Sequence, residues 1–493
     1  MLTPAQVQTA TRLRQIFLEA GFTADGVLGL LGASAYAALA RDEFVPARRV
    51  LQDKAGLLVD LVRLFIVDEV LDAHDLSEGF PVAELRSLDL IEGGEQIHAV
   101  VDVRPYGEPD TDWYVVSDHS AGRGARSRHE VAVDHVLGVG GASLTLARIT
   151  PRIPVDRALD IGTGCGVQAL HLSRHSRDVV ATDNNPRALL CAQLTAALSG
   201  YRWDLLEGSF LAPVVGETFD LIVSNPPFVI SPGHRYTYRD SGLAADELGR
   251  QLVGRIPQYL RPGGVAVFLA NWLHIRDQDW RERVTDWVRG SGCSAWIAQR
   301  EVQEPAEYVG LWLRDAGHAG PDQDRRYEEW LQALEEWGTT AIGFGWIVLT
   351  PSSEPWIQVE DVSTAKRQPG GAEVMESLDH FQCLQKFDAV AMLSGIPTVA
   401  AGVVLQETQL ATSDGHWSGG PATLVHPSWR QDEFLDAVTK VMINLCDGQR
   451  TVTQVIDDAA AQLQSDPDEV LAIGLFRLRE LVGRGFLHLA RGH

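Results

Sequence analysis

Cysteine is scarce in this chain. The five present, Cys165, Cys191, Cys293, Cys383 and Cys446, are scattered, odd in number and form no Cys-x-x-Cys pair. That argues against a disulfide framework and a cysteine zinc site, and no metal is expected. Long apolar runs are lacking too: none reaches the roughly 18–20 residues that a membrane helix needs. The start, Met1-Leu2-Thr3-Pro4-Ala5-Gln6, has neither the basic cap nor the apolar stretch of a secretory signal. No membrane partner is expected, and the expected compartment is the cytoplasm. Positive charge is in deficit, with 42 Lys and Arg against 66 Asp and Glu and a net charge of −24. Such a surplus repels phosphate backbones at long range, although a local basic patch can dominate within a Debye length of about 10 Å.

What is present describes a globular protein of several parts. Hydrophobic residues make up 45% and charged residues 22% of 493 positions, a length that suggests two to four domains. Residues 1–120 read as helices followed by a hairpin, a helical, winged-helix-like domain. Val7, Leu13, Ile16 and Phe17, then Leu57, Leu58, Leu61, Leu64 and Phe65, recur at helical spacing, and alternating runs Gln96 to Val103 and Trp113 to Ser117 follow. Residues 121–154 form a linker containing Arg123, Arg126 and Arg128, then a Gly-rich turn with Ser143 as a candidate helix cap.

From 155 to 350 the rhythm is strand then helix. Strands are expected at Arg157–Ile161, Val179–Asp183, Trp203–Glu207, Phe219–Asn225, Val265–Asn271, Ser294–Gln299 and Gly345–Leu349, giving an α/β, Rossmann-like, mostly parallel sheet. An acidic insert occupies 301–342; its Trp330, Leu331, Leu334 and Trp337 fit one helix face. Residues 351–425 read as an irregular, strand-containing connector. Residues 426–493 read as a small helix-turn-helix-like or winged-helix-like module, with Asp457, Asp458, Asp466, Asp468 and Glu469 where a DNA reader would carry lysines.

Two segments carry chemistry. Leu159-Asp160-Ile161-Gly162-Thr163-Gly164-Cys165-Gly166 ends the first strand and opens a helix. Gly162, Gly164 and Gly166 let backbone approach a ligand, and the helix amino end offers unpaired N–H groups. Asp183, 23 residues after Asp160, ends the next strand, where its carboxylate can accept from two ribose hydroxyls. Ser209 and Phe210 follow the third strand. A dinucleotide oxidoreductase would show Gly-x-Gly-x-x-Gly; here the spacing is Gly-x-Gly-x-Gly, with Asp160 two residues before it.

The second segment is Asn225-Pro226-Pro227-Phe228, at the carboxyl end of the fourth strand, where open α/β sheets bind ligands. An Asn oxygen and the carbonyl of the next residue can accept both hydrogens of one NH2 group. Proline removes competing backbone donors, and Phe228 offers a flat face. The group so held is a conjugated nitrogen aimed at an electrophile. Just beyond, Arg235, Tyr236 and Arg239 are candidates to contact the substrate.

On Asp160, Gly162, Gly164, Gly166, Asp183, Asn225, Pro226, Pro227 and Phe228, together with Arg261-Pro262-Gly263-Gly264-Val265, residues 155–273 resemble the HemK-type class I methyltransferases. These include the release-factor glutamine methyltransferases, and they share Asn-Pro-Pro-aromatic with DNA adenine and ribosomal RNA guanine amino-methyltransferases. The resemblance implies S-adenosyl-L-methionine as cofactor and a macromolecular acceptor, a protein glutamine ahead of an RNA or DNA base amine. Ser209 and Phe210 stand at the place that resembles the adenine site of class I methyltransferases, and are on that resemblance candidates to hold an adenine. The glutamine enzymes usually carry Tyr where Phe228 stands. A small-molecule methyltransferase and a non-catalytic, cofactor-binding regulator are the alternatives.

Overall fold

The computed structural model describes residues 1–108, 110–119, 132–232, 243, 245–315 and 321–491. Two compact units divide the chain. One comprises Met1–Ala147, Ile153–Gly292 and Val302–Ser352; the other comprises Arg148–Arg152, Cys293–Glu301 and Ser353–His493.

The first unit opens with helices Pro4–Glu19 and Ala24–Leu39, and Thr3 and Gln6 form a reciprocal capping box at the first. Their apolar faces bury Leu13, Phe17 and Leu31, with Phe22 from the turn between them, together with Leu64 and Phe65. Short antiparallel strands follow, with Gln96–Ala99 between Leu71–Asp72 and Ile91–Gly93. The run expected over Gln96 to Val103 is two strands. The chain turns after Ala99, and Asp102–Tyr106 pairs with Trp113–Ser117 instead. All of Trp113–Ser117 is buried, because both of its faces are covered. Tyr114 and Val116 join the helical core, while the Trp113 ring meets His171 edge-on at 5.2 Å. Its outward N–H groups end on a helix: Tyr114 donates to Ser199 Oγ at 3.0 Å and Val116 to Thr195 Oγ1 at 2.9 Å. Those two hydroxyls, on helix Pro186–Ser199, close what would otherwise be an unpaired sheet edge.

The sheet that follows contains β1 (Val155–Ile161), β2 (Ser176–Asp183), β3 (Asp204–Glu207), β4 (Phe219–Ser224), β5 (Leu260–Ile275) and β6 (Thr339–Pro351). Their spatial order is β3-β2-β1-β4-β5-β6; the first five are parallel and β6 runs antiparallel to β5. Val265 to Leu273 is buried without alternation, as a central strand covered on both faces requires. The α/β, Rossmann-like class I arrangement is thus present. Register brings the strand ends together: Ile161 lies opposite Thr182 and Ser224, and Ser224 lies opposite Phe268. The helix expected to be capped by Ser143 begins earlier, at Gly141; Ser143 lies inside it and its carbonyl accepts from Gln168.

In the second unit, Ala295–Gln299 of strand Cys293–Gln303 pair parallel with Ile357–Asp361. Trp296 packs against Phe381 and Trp429, and the buried Arg430 lies over Trp429 and pairs with Glu360. The stretch expected to be an irregular connector holds a well-formed helix, Gly371–Leu384, which buries Val374, Leu378, Phe381 and Leu384 at helical spacing. Helices Ala437–Leu445, Val452–Leu463 and Pro467–Gly483 then lead to strand Leu487–Ala490, which pairs with Ile396–Val399. Thr451 and Gln454 form the capping box of the second of these helices.

Candidate active site

The glycine loop divides by function. Gly162, Gly164 and Gly166 all have positive φ. A Cβ on either of the first two would meet nothing within 4 Å, whereas one on Gly166 would lie 2.6 Å from the Trp203 ring. The first two glycines therefore border open space, and the third lets the helix Val167–Leu172 approach its neighbours.

Two carboxylates brace this loop. Asp160 is fully buried; Oδ2 accepts from Thr163 Oγ1 at 2.6 Å, and Oδ1 has no hydrogen-bond partner among the described residues. Burial, reinforced by the nearby Asp183 charge, pushes its pKa up to about 7. Asp183 Oδ2 accepts from Gly164 N–H and Oδ1 from Asn185 N–H, each at 2.9 Å. A carboxylate offers about four lone-pair sites, so Asp183 retains capacity for further donors. Its pKa is raised by burial. Ser209 is exposed, and the half-buried Phe210 has the unusual φ of 49°, its carbonyl accepting from Thr182.

Other residues at this mouth were not foreseen from the sequence. Asn185 caps helix Pro186–Ser199 and donates from Nδ2 to the Asp134 carbonyl at 2.8 Å. Asp118 accepts from Val136 N–H and pairs with Arg187, which holds the carboxyl of Asp118 below the usual range despite burial. These contacts fasten the Asp134–Val136 segment beside the end of β2. The Asn185-Pro186 cap was the readable signal.

Across the cleft, Ser224 Oγ donates to the Ile161 carbonyl at 2.8 Å and ties β4 to β1. Asn225 follows. Its Oδ1 is buried and has no hydrogen-bond partner among the described residues. Pro226 is buried; Pro227 and Phe228 are half-buried. The acidic insert closes over this loop from helices Pro305–Asp315 and Pro321–Glu336. Tyr308 OH accepts from Ile230 N–H at 2.7 Å, and Trp330 Nε1 donates to Ile230 carbonyl at 2.8 Å. Trp312 meets Phe228 edge-on at 6.3 Å. The expected helix face packs here through Trp330 and Leu334, with Leu331 and Trp337 partly buried against it. Arg235, Tyr236 and Arg239 lie outside the described residues, as do Arg123, Arg126 and Arg128.

This arrangement places open backbone, an available carboxylate and an unused amide oxygen at adjacent strand ends. Residues 138–275 match the family described as Methyltransferase small domain, and residues 19–102 match a Domain of unknown function (DUF7059). A release factor glutamine methyltransferase of Xylella fastidiosa is 37% identical over 161 residues, covering 26% of this chain and 58% of that protein. One of Deinococcus radiodurans is 41% identical, covering 23% and 45%. A ribosomal RNA small subunit methyltransferase C of Alcanivorax borkumensis is 30% identical, covering 23% and 32%. The chain thus spans between a third and three fifths of the length of these relatives. Over residues 138–275, on the Rossmann-like sheet, this chain is similar to the methyltransferase small domain family.

Proposed function

We propose that the protein is an S-adenosyl-L-methionine-dependent N-methyltransferase whose acceptor is a glutamine side-chain amide of a protein. The observation that carries this reading is the buried Asn225 Oδ1 without a partner, beside the glycine-lined strand end. Leaving a buried acceptor unmade costs about 1–3 kcal/mol, so such an atom is expected to serve a ligand.

The residues present fit the cofactor. Gly162 and Gly164 leave room over the loop, and Asp183 keeps lone pairs for ribose hydroxyls. Ser209 and Phe210 are proposed to hold the adenine. The cofactor supplies an electrophilic sulfonium methyl. Asn225 Oδ1 and the Pro226 carbonyl accept the two hydrogens of the acceptor NH2, which turns its lone pair out of the hydrogen-bonding plane. Phe228 covers the planar amide, and Pro227 stiffens the loop. Accepting hydrogen bonds stabilises the nitrogen as it gains positive charge, so no base is needed before transfer.

Charge favours protein over RNA. Glu304, Glu307, Asp324, Glu328, Glu329, Glu335 and Glu336 are exposed on the insert that packs around Phe228, and a phosphate backbone would be repelled there. The second reading, a ribosomal RNA guanine amine, draws on Phe228 in place of Tyr and on the similarity to the Alcanivorax enzyme. Incubation with methyl-labelled cofactor and, separately, a purified bacterial release factor or ribosomal RNA decides between them. Label in the protein that survives nuclease upholds the first reading, and label only in RNA refutes it.

A further inference from the structure

β5 outruns β4. The two pair as far as Ser224 opposite Phe268, where β4 ends and Asn225-Pro226-Pro227-Phe228 departs. β5 continues, held from its other side by β6, so that Asn271 pairs with Phe344 three residues beyond that point. Asn271 therefore stands beside the start of the Asn-Pro-Pro-Phe loop. It lines one cleft with Pro226, Phe228, Ile230 and Gly249.

Asn271 is only 5% exposed, yet its Nδ2 is buried with no hydrogen-bond partner among the described residues. A primary amide in the middle of an otherwise apolar strand is poorly explained by folding, since Leu269, Ala270, Trp272 and Leu273 around it are all buried and apolar. Two unused amide functions thus stand at neighbouring strand ends, an acceptor at Asn225, which follows β4, and a donor at Asn271 on β5. A planar primary amide has the complementary pair, an NH2 and a carbonyl oxygen.

We propose that Asn271 is a specificity-determining residue of the acceptor pocket, donating a hydrogen bond to the carbonyl oxygen of the acceptor amide while Asn225 takes its NH2. This rests on the glutamine-amide reading above and adds to it the group that distinguishes an amide from a simple amine. Asn271 does not enter the transfer step; it fixes which edge of the acceptor faces Asn225.

The test uses the full chain, methyl-labelled cofactor, a purified bacterial release factor and ribosomal RNA. Asn271→Leu keeps the number and branching of the side-chain heavy atoms and removes the polar ones. We expect kcat/KM on the release factor to fall at least about tenfold, with cofactor Kd by calorimetry within twofold of wild type and Tm of the free protein unchanged or raised. A residue kept for structure would instead lower Tm. Wild-type kcat/KM in Asn271→Leu, or a lowered Tm with a matching loss of cofactor affinity, overturns the assignment. If the Leu variant does not fold, Asn271→Ser replaces it: the shorter side chain cannot reach the same carbonyl, and wild-type kcat/KM in that variant is equally fatal. Failure of the glutamine reading is distinct, because it appears in the wild type as label on RNA and none on release factor. In that event the Asn271 assignment is overturned if the variants match wild type on that RNA.

Discussion

At the scale of single residues, the role proposed for Asn225 separates binding from transfer. Removing its side-chain oxygen takes away an interaction proposed to be made by the acceptor and not by the cofactor. For Asn225→Ala we expect methyl transfer to fall by about 10²–10³-fold, the range typical of losing one charge-stabilising hydrogen-bond partner. Cofactor Kd should remain within about threefold, read by calorimetry on the same preparation. Asp183 carries the opposite signature. Asp183→Ala should weaken cofactor binding by roughly 10–100-fold, as expected for loss of charge-assisted hydrogen bonds of about 1.5–3 kcal/mol; an unchanged Kd refutes the ribose contact.

Asp160 makes a pH-dependent prediction. Its folded pKa of about 7 lies above the ordinary carboxylate value near 4. Between those values the folded state holds the proton and the unfolded state does not. The contribution of this group to stability is therefore fully present below about pH 4 and lost as pH rises through 7, amounting to a few kcal/mol by linkage. Asp160→Asn removes that loss. The Tm difference, variant minus wild type, should become more positive between pH 4 and 8. A flat difference across that range excludes the buried acid as its source.

Among the elements, the insert is the least expected in its role. Its apolar helix face is legible in the sequence through Trp330 and Leu334, and its acidity is plain. What it packs against is not, because Tyr308 and Trp330 grip a single residue, Ile230, at sequence separations of 78 and 100. Tyr308→Phe leaves the buried Ile230 N–H unsatisfied, and we expect a loss of about 1–3 kcal/mol in urea unfolding with transfer reduced and cofactor Kd preserved. The strands around the site were readable because each ends in residues with a special backbone or charge: Asp160 before the glycines, Asp183, and Asn225 before two prolines. The run ending at Val103 misled because alternation does not reveal that a chain turns after Ala99 to find another partner. Helix Gly371–Leu384 is hidden by composition although Val374, Leu378, Phe381 and Leu384 carry its period, because Pro369, Gly370 and Gly371 at its start are loop-forming residues. Asn271 could not be singled out before the register of three strands was known.

The whole molecule is dominated by its charge. At −24 it should bind polyanions weakly, and we expect filter binding to ribosomal RNA at 0.15 M salt to show a Kd no tighter than about 10 µM. Tighter retention would locate a basic surface that outweighs the global field and would favour the guanine reading.

Helix Pro186–Ser199 has one end at Asn185, against the cofactor mouth, and near its other end holds the amides of Tyr114 and Val116 through Thr195 and Ser199. A ligand that steadies the first end should be felt at the second as slower deuterium uptake by those two amides. If that slowing is seen, the amino-terminal hairpin would serve as a remote gauge of whether the methyl donor is aboard, and a graft of this front module onto another enzyme would need both hydroxyls to go with it.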